Sequence, residues 1–147
     1  GLKNEVEPEN LVRYLDEKAY ITGFFVLQRH QMITQVPSKI TCFTNRRHNR
    51  SRERLTPIGR YEFVCVNELV YAPPREGIMT EPEQALFDFV YLMRHKGVNP
   101  ESIVTFRNLD RLDESLLLEI VPRYPGTVRA QVSRILQQKV YTAPSAY

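Results

Sequence analysis

Residues 44–61 read TNRRHNRSRERLTPIGRY, and five arginines (Arg46, Arg47, Arg50, Arg52 and Arg54) fall within nine positions. A guanidinium donates two parallel hydrogen bonds to a phosphate or a carboxylate, so this concentration suits a nucleic acid or an acidic protein partner. Phosphate contacts of this kind would make affinity fall steeply with salt, and they would position a nucleic acid without reading its sequence. No aromatic residue is interleaved among the arginines, so base stacking on this stretch is not indicated. The bland alternative is a solvated hairpin tip whose charge only keeps it soluble. A second basic set, Arg94, His95, Lys96 and Arg107, extends the patch if the fold brings it near.

Carboxylates are the other candidates. Asp16-Glu17-Lys18 has the residue types of a nuclease metal site. Three adjacent helical positions point in different directions, however, and a solvated helix face is the expectation. Asp88 lies close to the apolar stripe of its helix. A buried carboxylate must be paired or hydrogen-bonded, so Asp88 reads as structural, with an arginine or a backbone amide as its partner. A catalytic carboxylate is the alternative. The chain contains no Gly-rich phosphate loop and no G-x-S-x-G elbow. Cys42 and Cys65 sit in apolar runs and read as small core residues, and His30, His48 and His95 have no zinc spacing. The expectation is no cofactor, no metal and no catalytic residue.

The elements that must position these groups follow from periodicity. Residues 7–15 read as a helix with Leu11, Leu15 and Tyr14 on one stripe, and 22–31 as a second helix with Phe24, Phe25 and Leu27 inward. Residues 38–44 alternate as a half-buried strand, 60–66 form a second, and 69–71 suggest a third. The arginine stretch then lies in the connection between the first two, with Pro57 and Gly59 marking a tight turn on its far side. Thr80-Glu81-Pro82-Glu83 reads as a capping box: Thr80 caps the amide of Glu83, and the Glu83 side chain reaches back. Leu86, Phe89, Val90 and Met93 then repeat at three and four, and Gly97 ends that helix. Asn99-Pro100 and Asp113-Glu114 start two more helices, and 127–138 forms the last, with Val128, Val132, Ile135 and Leu136 inward.

These runs predict an α+β fold, a small antiparallel or mixed sheet of about three or more strands with flanking helices and a helical C-terminal half. The 147 residues suit a single domain, 1–147. Hydrophobic residues make up 42%, enough for a core, and the net charge is only +3, so a basic function would occupy one patch. There is no apolar run of roughly 18 residues. GLKNEVEPEN is polar and acidic, unlike a signal peptide, so a cytoplasmic location is expected.

Three segments resemble a known family. TEPEQALFDFVYL (80–92) is similar to the (S/T)-x-P-E-(K/R)-A-L-L-D-x-x-Y helix of AbiEi-type antitoxins, the transcriptional-regulator halves of type IV toxin–antitoxin (abortive infection, phage defence) systems. AYITGFFVLQRHQMITQVPSKITCFTNRR resembles that family's Y-I-S-x-x-S-A-L-x-x-H-G-L-I-x-x-x-P-x-x-I-x-x-x-T-x-x-R segment. LTPIGRYEF resembles its T-P-x-G-x-Y/F-x-Y/F hairpin, and the later helices with Arg123-Tyr124-Pro125 fit the same layout. The resemblance spans about residues 19–136. Gly23-Phe24-Phe25 departs from the small residues usual there, and Gln31 stands where the family has glycine, which puts that turn in question. The family places a winged-helix DNA-binding domain in front, and the stretch of 18 residues before the first motif is too short for one, so that domain is expected to be absent from this chain.

The resemblance implies a non-enzymatic antitoxin domain. Its partner would be a nucleotidyltransferase-like toxin, and its basic surface would assist DNA binding in autoregulation. Two rivals stand beside it: a metal-dependent, nuclease-like enzyme using Asp88, and a DNA-binding module acting alone.

Overall fold

The computed structural model describes residues 8–47 and 53–136. In chain order they form α1 (Pro8–Leu15), β1 (Tyr20–Ile21), α2 (Phe24–Arg29), β2 (Ile40–Thr44), β3 (Glu53–Thr56), β4 (Gly59–Cys65), α3 (Pro82–His95), α4 (Pro100–Ile103), α5 (Glu114–Ile120) and α6 (Gly126–Leu136). Short 3₁₀ turns at Leu109–Arg111 and Val121–Arg123 flank α5. The fold is α+β, a mixed four-stranded sheet with a helical C-terminal half.

The sheet order is β1-β2-β4-β3. β1 runs antiparallel to β2, β2 parallel to β4, and β3 antiparallel to β4. The two-residue turn Pro57-Ile58 closes the β3–β4 hairpin, with Thr56 opposite Gly59, as the sequence predicted. The chain leaves the top of β2 at Thr44 and re-enters as β3 on the far side of β4. The arginine run is therefore not wholly a connection: Arg54 belongs to the edge strand.

Two strand expectations change. β2 is buried at all five positions, not half-buried, because it lies inside the sheet with both faces covered. Residues 69–71 form no strand. The Asn67 side chain accepts from the amides of Leu69 (3.0 Å) and Val70 (3.1 Å), and the Tyr71 amide bonds back to the Asn67 carbonyl. This side-chain-capped turn prevails over the β-prone composition. Instead, β1 and a bridge between Ile21 and Met79 extend the sheet.

α3 is the central helix. Ala85 to Val90 are all buried, as is Leu92, so it touches neighbours nearly all round, and Met93 is half-buried. It packs on α2, α4, α5 and α6, and Phe43 of β2 meets Tyr91 edge-on at 6.2 Å. Each fully buried Phe or Leu of this core contributes about 1.5–3 kcal/mol of transfer free energy. On α6, Val128, Val132, Ile135 and Leu136 are inward as expected, joined by Gln131.

On α1, Leu11 and Leu15 pack against the core as predicted and Val12 is fully buried between them, whereas Tyr14 is 86% exposed and falls off the stripe. On α2, Val26 and Leu27 are fully buried, whereas Phe24 and Phe25 are half-buried. Cys42 is buried, but Cys65 at the end of β4 is exposed, and both are free thiols. Burial pushes the Cys42 thiol far up.

Gln31 adopts a left-handed backbone conformation at the turn after α2. Its φ is +61°, its amide bonds to the Gln28 carbonyl, and its own carbonyl accepts from Asn108 Nδ2 at 2.8 Å. Gly23, at φ +76°, starts α2 over Phe89.

Candidate functional site

Two clusters of polar groups stand out, one buried and one exposed. The buried one centres on Asp88. Tyr124 donates its hydroxyl to Oδ1 at 2.5 Å, and Thr22 donates to Oδ2 at 2.7 Å. Gln84 Nε2 reaches the same Oδ2 at 3.4 Å, and Thr80 donates to the Thr22 hydroxyl at 3.1 Å. Asp88 and Thr22 are both at 0% exposure. The partners are thus hydroxyls and an amide side chain rather than the arginine or backbone amide expected. Arg123 acts at one remove, donating to Gln84 Oε1 at 3.4 Å.

Burial pushes the Asp88 carboxyl up to about 7, opposed by its bonds from Tyr124, Thr22 and Gln84. Burial, reinforced by the negative charge of Asp88, likewise pushes the Tyr124 and Tyr20 hydroxyls up. Tyr20 pins the turn after β4: its oxygen accepts from the Ala72 amide at 2.9 Å.

The expected capping box does not form. The α3 N-cap is Glu81, without a side-chain bond. The Thr80 hydroxyl is directed at Thr22, and Glu83 Oε2 accepts from the Asp113 amide at 2.6 Å. Thr80 and Glu83 are both buried, and each ties α3 to another segment instead of to its own first turn.

The exposed cluster runs along the sheet. Arg46 and Arg47 follow β2 and are exposed, while Arg54 on β3 is half-buried; Arg50 and Arg52 lie outside the described residues. Asp16 roots the start of the stretch. It is buried, accepts from Thr44 Oγ1 at 2.7 Å and the Lys18 amide at 2.9 Å, and lies 3.8 Å from the Arg46 guanidinium. The Arg46 amide bonds to the Thr44 hydroxyl at 3.2 Å. Asp16 is therefore no solvated helix face; it follows the end of α1 and clamps the exit of β2.

Further down the same sheet, Glu62 is 6% exposed inside β4. Lys96 meets its Oε2 at 2.9 Å and Lys39 its Oε1 at 3.8 Å. Lys39 also bonds Glu53 at 2.8 Å, and Arg60 stands 3.9 Å from Glu53. The bond from Lys39, then its charge, holds the Glu53 carboxyl below the usual range.

The fold disperses most of the second basic set. Lys96 joins the hairpin through Glu62. Arg94 turns to Gln131 on α6 at 3.0 Å, and Arg107 sits beyond α4 with its amide on the Met32 carbonyl. His95 stacks on Tyr91. Among the described residues no group of three His, Cys, Asp or Glu side chains could hold a metal ion, and no helix is long and apolar enough to cross a membrane.

No protein-family model, curated protein or solved structure matches the chain.

Sequence reasoning missed Thr22, Tyr124, Lys39, Arg60 and Glu62. One signal was available: Glu62 interrupts the apolar run of β4, and a charge inside a central strand needs partners. Tyr124 read only as a helix break beside Pro125; nothing local marks its hydroxyl as a donor to a residue 36 positions away.

Proposed function

We propose that the chain is a non-enzymatic antitoxin and transcriptional-regulator domain. It neutralises a nucleotidyltransferase-like toxin in the cytoplasm and offers a basic sheet edge to DNA. One observation carries this reading: two of the segments that resemble the family, together with the Arg-Tyr-Pro stretch, meet at Asp88. Thr22 comes from the AYITGFF segment, Thr80 and Asp88 from TEPEQALFDFVYL, and Tyr124 from the Arg-Tyr-Pro segment, and their side chains join in one hydrogen-bond network. Residues that match a pattern in separate segments and interlock in space support a shared fold better than any one motif does.

The same network supports a structural use of Asp88 over a nuclease-like one. Both oxygens accept hydroxyl protons, and the group is fully buried. The basic surface suits phosphate, because Arg46 and Arg47 are exposed at the strand exit.

Co-expression with the neighbouring open reading frame tests the proposal. The neighbour is expected to be toxic alone and harmless with this chain. Toxicity that persists in its presence, or a harmless neighbour, overturns the antitoxin reading. Magnesium- or manganese-dependent cleavage of nucleic acid that is lost in Asp88→Asn would instead establish the enzyme.

A further inference from the structure

A groove of about 680 Å³ opens between the segment 72–76, the first turn of α3 and α5. Five carboxylates line it, those of Glu76, Glu81, Glu83, Asp113 and Glu119, against two guanidiniums, Arg75 and Arg123. The whole chain carries a net +3, so the groove has the opposite sign from the protein that holds it. We propose that this groove binds an arginine side chain carried on a basic segment of a partner protein.

Glu83 is the residue that calls for a ligand. It is 5% exposed. Its Oε2 accepts from the Asp113 amide at 2.6 Å; among the described residues nothing donates to Oε1, and no cation forms an ion pair with either oxygen. An ionised carboxylate offers about four lone-pair sites, and one neutral amide fills only one of them. A buried charge is costly unless it is paired, and a cation entering the groove supplies the missing partner.

The remaining acids are open as well. Glu76, Glu81 and Glu119 are exposed and form no ion pair among the described residues. Asp113 uses Oδ1 to accept from the Ser115 and Leu116 amides, at 2.9 and 3.3 Å, which leaves Oδ2. Neither arginine is within ion-pair distance of these groups: Arg123 donates instead to Gln84 Oε1 at 3.4 Å, and Arg75 is exposed.

The walls suit a long cationic side chain. Pro73, Pro74, Leu116 and Ile120 place apolar surface beside the acids. A methylene stem packs on such surface while its charged head stays among polar groups. A guanidinium spreads five donors over a plane and can reach acceptors on α3 and α5 together, which an ammonium does less well. The volume falls within the roughly 300–1,000 Å³ of ligand sites, with room for backbone on either side of the anchor. Further cations on that backbone meet Glu76, Glu81 and Glu119 at the rim. The site lies apart from the arginine stretch and does not depend on the regulator reading, because neither toxin nor DNA enters the test.

The test titrates the protein with acetyl-Gly-Lys-Arg-Lys-Gly-amide at low salt, following the methyl NMR signals of Leu116 and Ile120. Saturable shifts are expected. Citrulline in place of the arginine keeps the shape without the charge, and should weaken binding about ten-fold or more, which is at least about 1.4 kcal/mol. Glu83→Gln should weaken binding by a similar factor. Because Glu83 also ties α3 to the start of α5, a second variant separates binding from folding: Glu81→Lys with Glu119→Lys changes exposed positions, and should weaken binding about ten-fold with the thermal midpoint kept. Four results overturn the proposal: no methyl shift at millimolar peptide, equal binding of the citrulline peptide, spermidine binding as tightly as the peptide, or unchanged affinity in Glu81→Lys with Glu119→Lys.

Discussion

Asp88 and the arginine stretch handle charge in opposite ways. Asp88 is one carboxylate at 0% exposure, held by residues from β1–α2, α3 and the turn before α6. Arg46 and Arg47 are exposed at a strand exit, with one carboxylate, Asp16, near the first of them. A buried charge is costly unless its partners are fixed, so changing it disturbs the scaffold. Surface charges add little to stability and can be directed at a partner. The comparison teaches that the buried polar network ties separate segments of the fold together, while Arg46 and Arg47 project from the strand exit into solvent.

The sharpest break in that comparison is Asp88→Ala. It leaves the Tyr124 and Thr22 hydroxyls buried without their acceptor, and a loss of about 4 kcal/mol in urea unfolding is expected. Asp88→Asn keeps the shape and should lose less. Little change in Asp88→Ala would remove the network from the account of the fold.

The next effect is pH dependence. The Asp88 carboxyl is raised from 3.8 to about 7, chiefly by burial. A native state that holds a proton the unfolded state releases is favoured at low pH. The contribution of Asp88 is therefore fully present below its unfolded value and is lost as pH rises through about 7. The stability gap between the wild type and Asp88→Asn should shift by a few kcal/mol across that window. Glu53, held low by Lys39, acts in the opposite sense: its small contribution is present above its unfolded value and fades as pH falls. A gap that widened with rising pH would contradict the burial argument.

A smaller effect sharpens the scaffold side. Gln31 holds φ +61°, a conformation glycine adopts freely. Gln31→Gly should raise stability by about 0.5–1 kcal/mol, read as a higher urea midpoint with an unchanged slope. On the exposed side, Arg46→Ala with Arg47→Ala should move stability by no more than about 0.5 kcal/mol.

What the sequence disclosed divides along the same line. α3 and α6 were legible because their apolar residues recur at helical spacing over 14 and 11 residues. The β3–β4 hairpin was marked by Pro57 and Gly59. β1, only two residues long, carried no periodicity. Asp16 was misread because its burial depends on Thr44, 28 positions away. Asp88 was identified as buried, but its hydroxyl donors lie 66 and 36 positions away. The 69–71 run looked β-prone, and only the Asn67 side chain shows why it turns. Periodicity records what is near in sequence, whereas polar networks are made by pairs that the fold alone brings together.

The claim that the basic edge serves DNA is tested most directly by fluorescence anisotropy on duplex DNA at two salt concentrations. The wild type is compared with a variant carrying Arg46, Arg47, Arg50, Arg52 and Arg54 all changed to Ala. The account predicts weaker binding in the variant and a shallower salt dependence, with roughly 0.9 of slope lost for each phosphate contact removed. Equal affinity and an equal slope in the two proteins would contradict it.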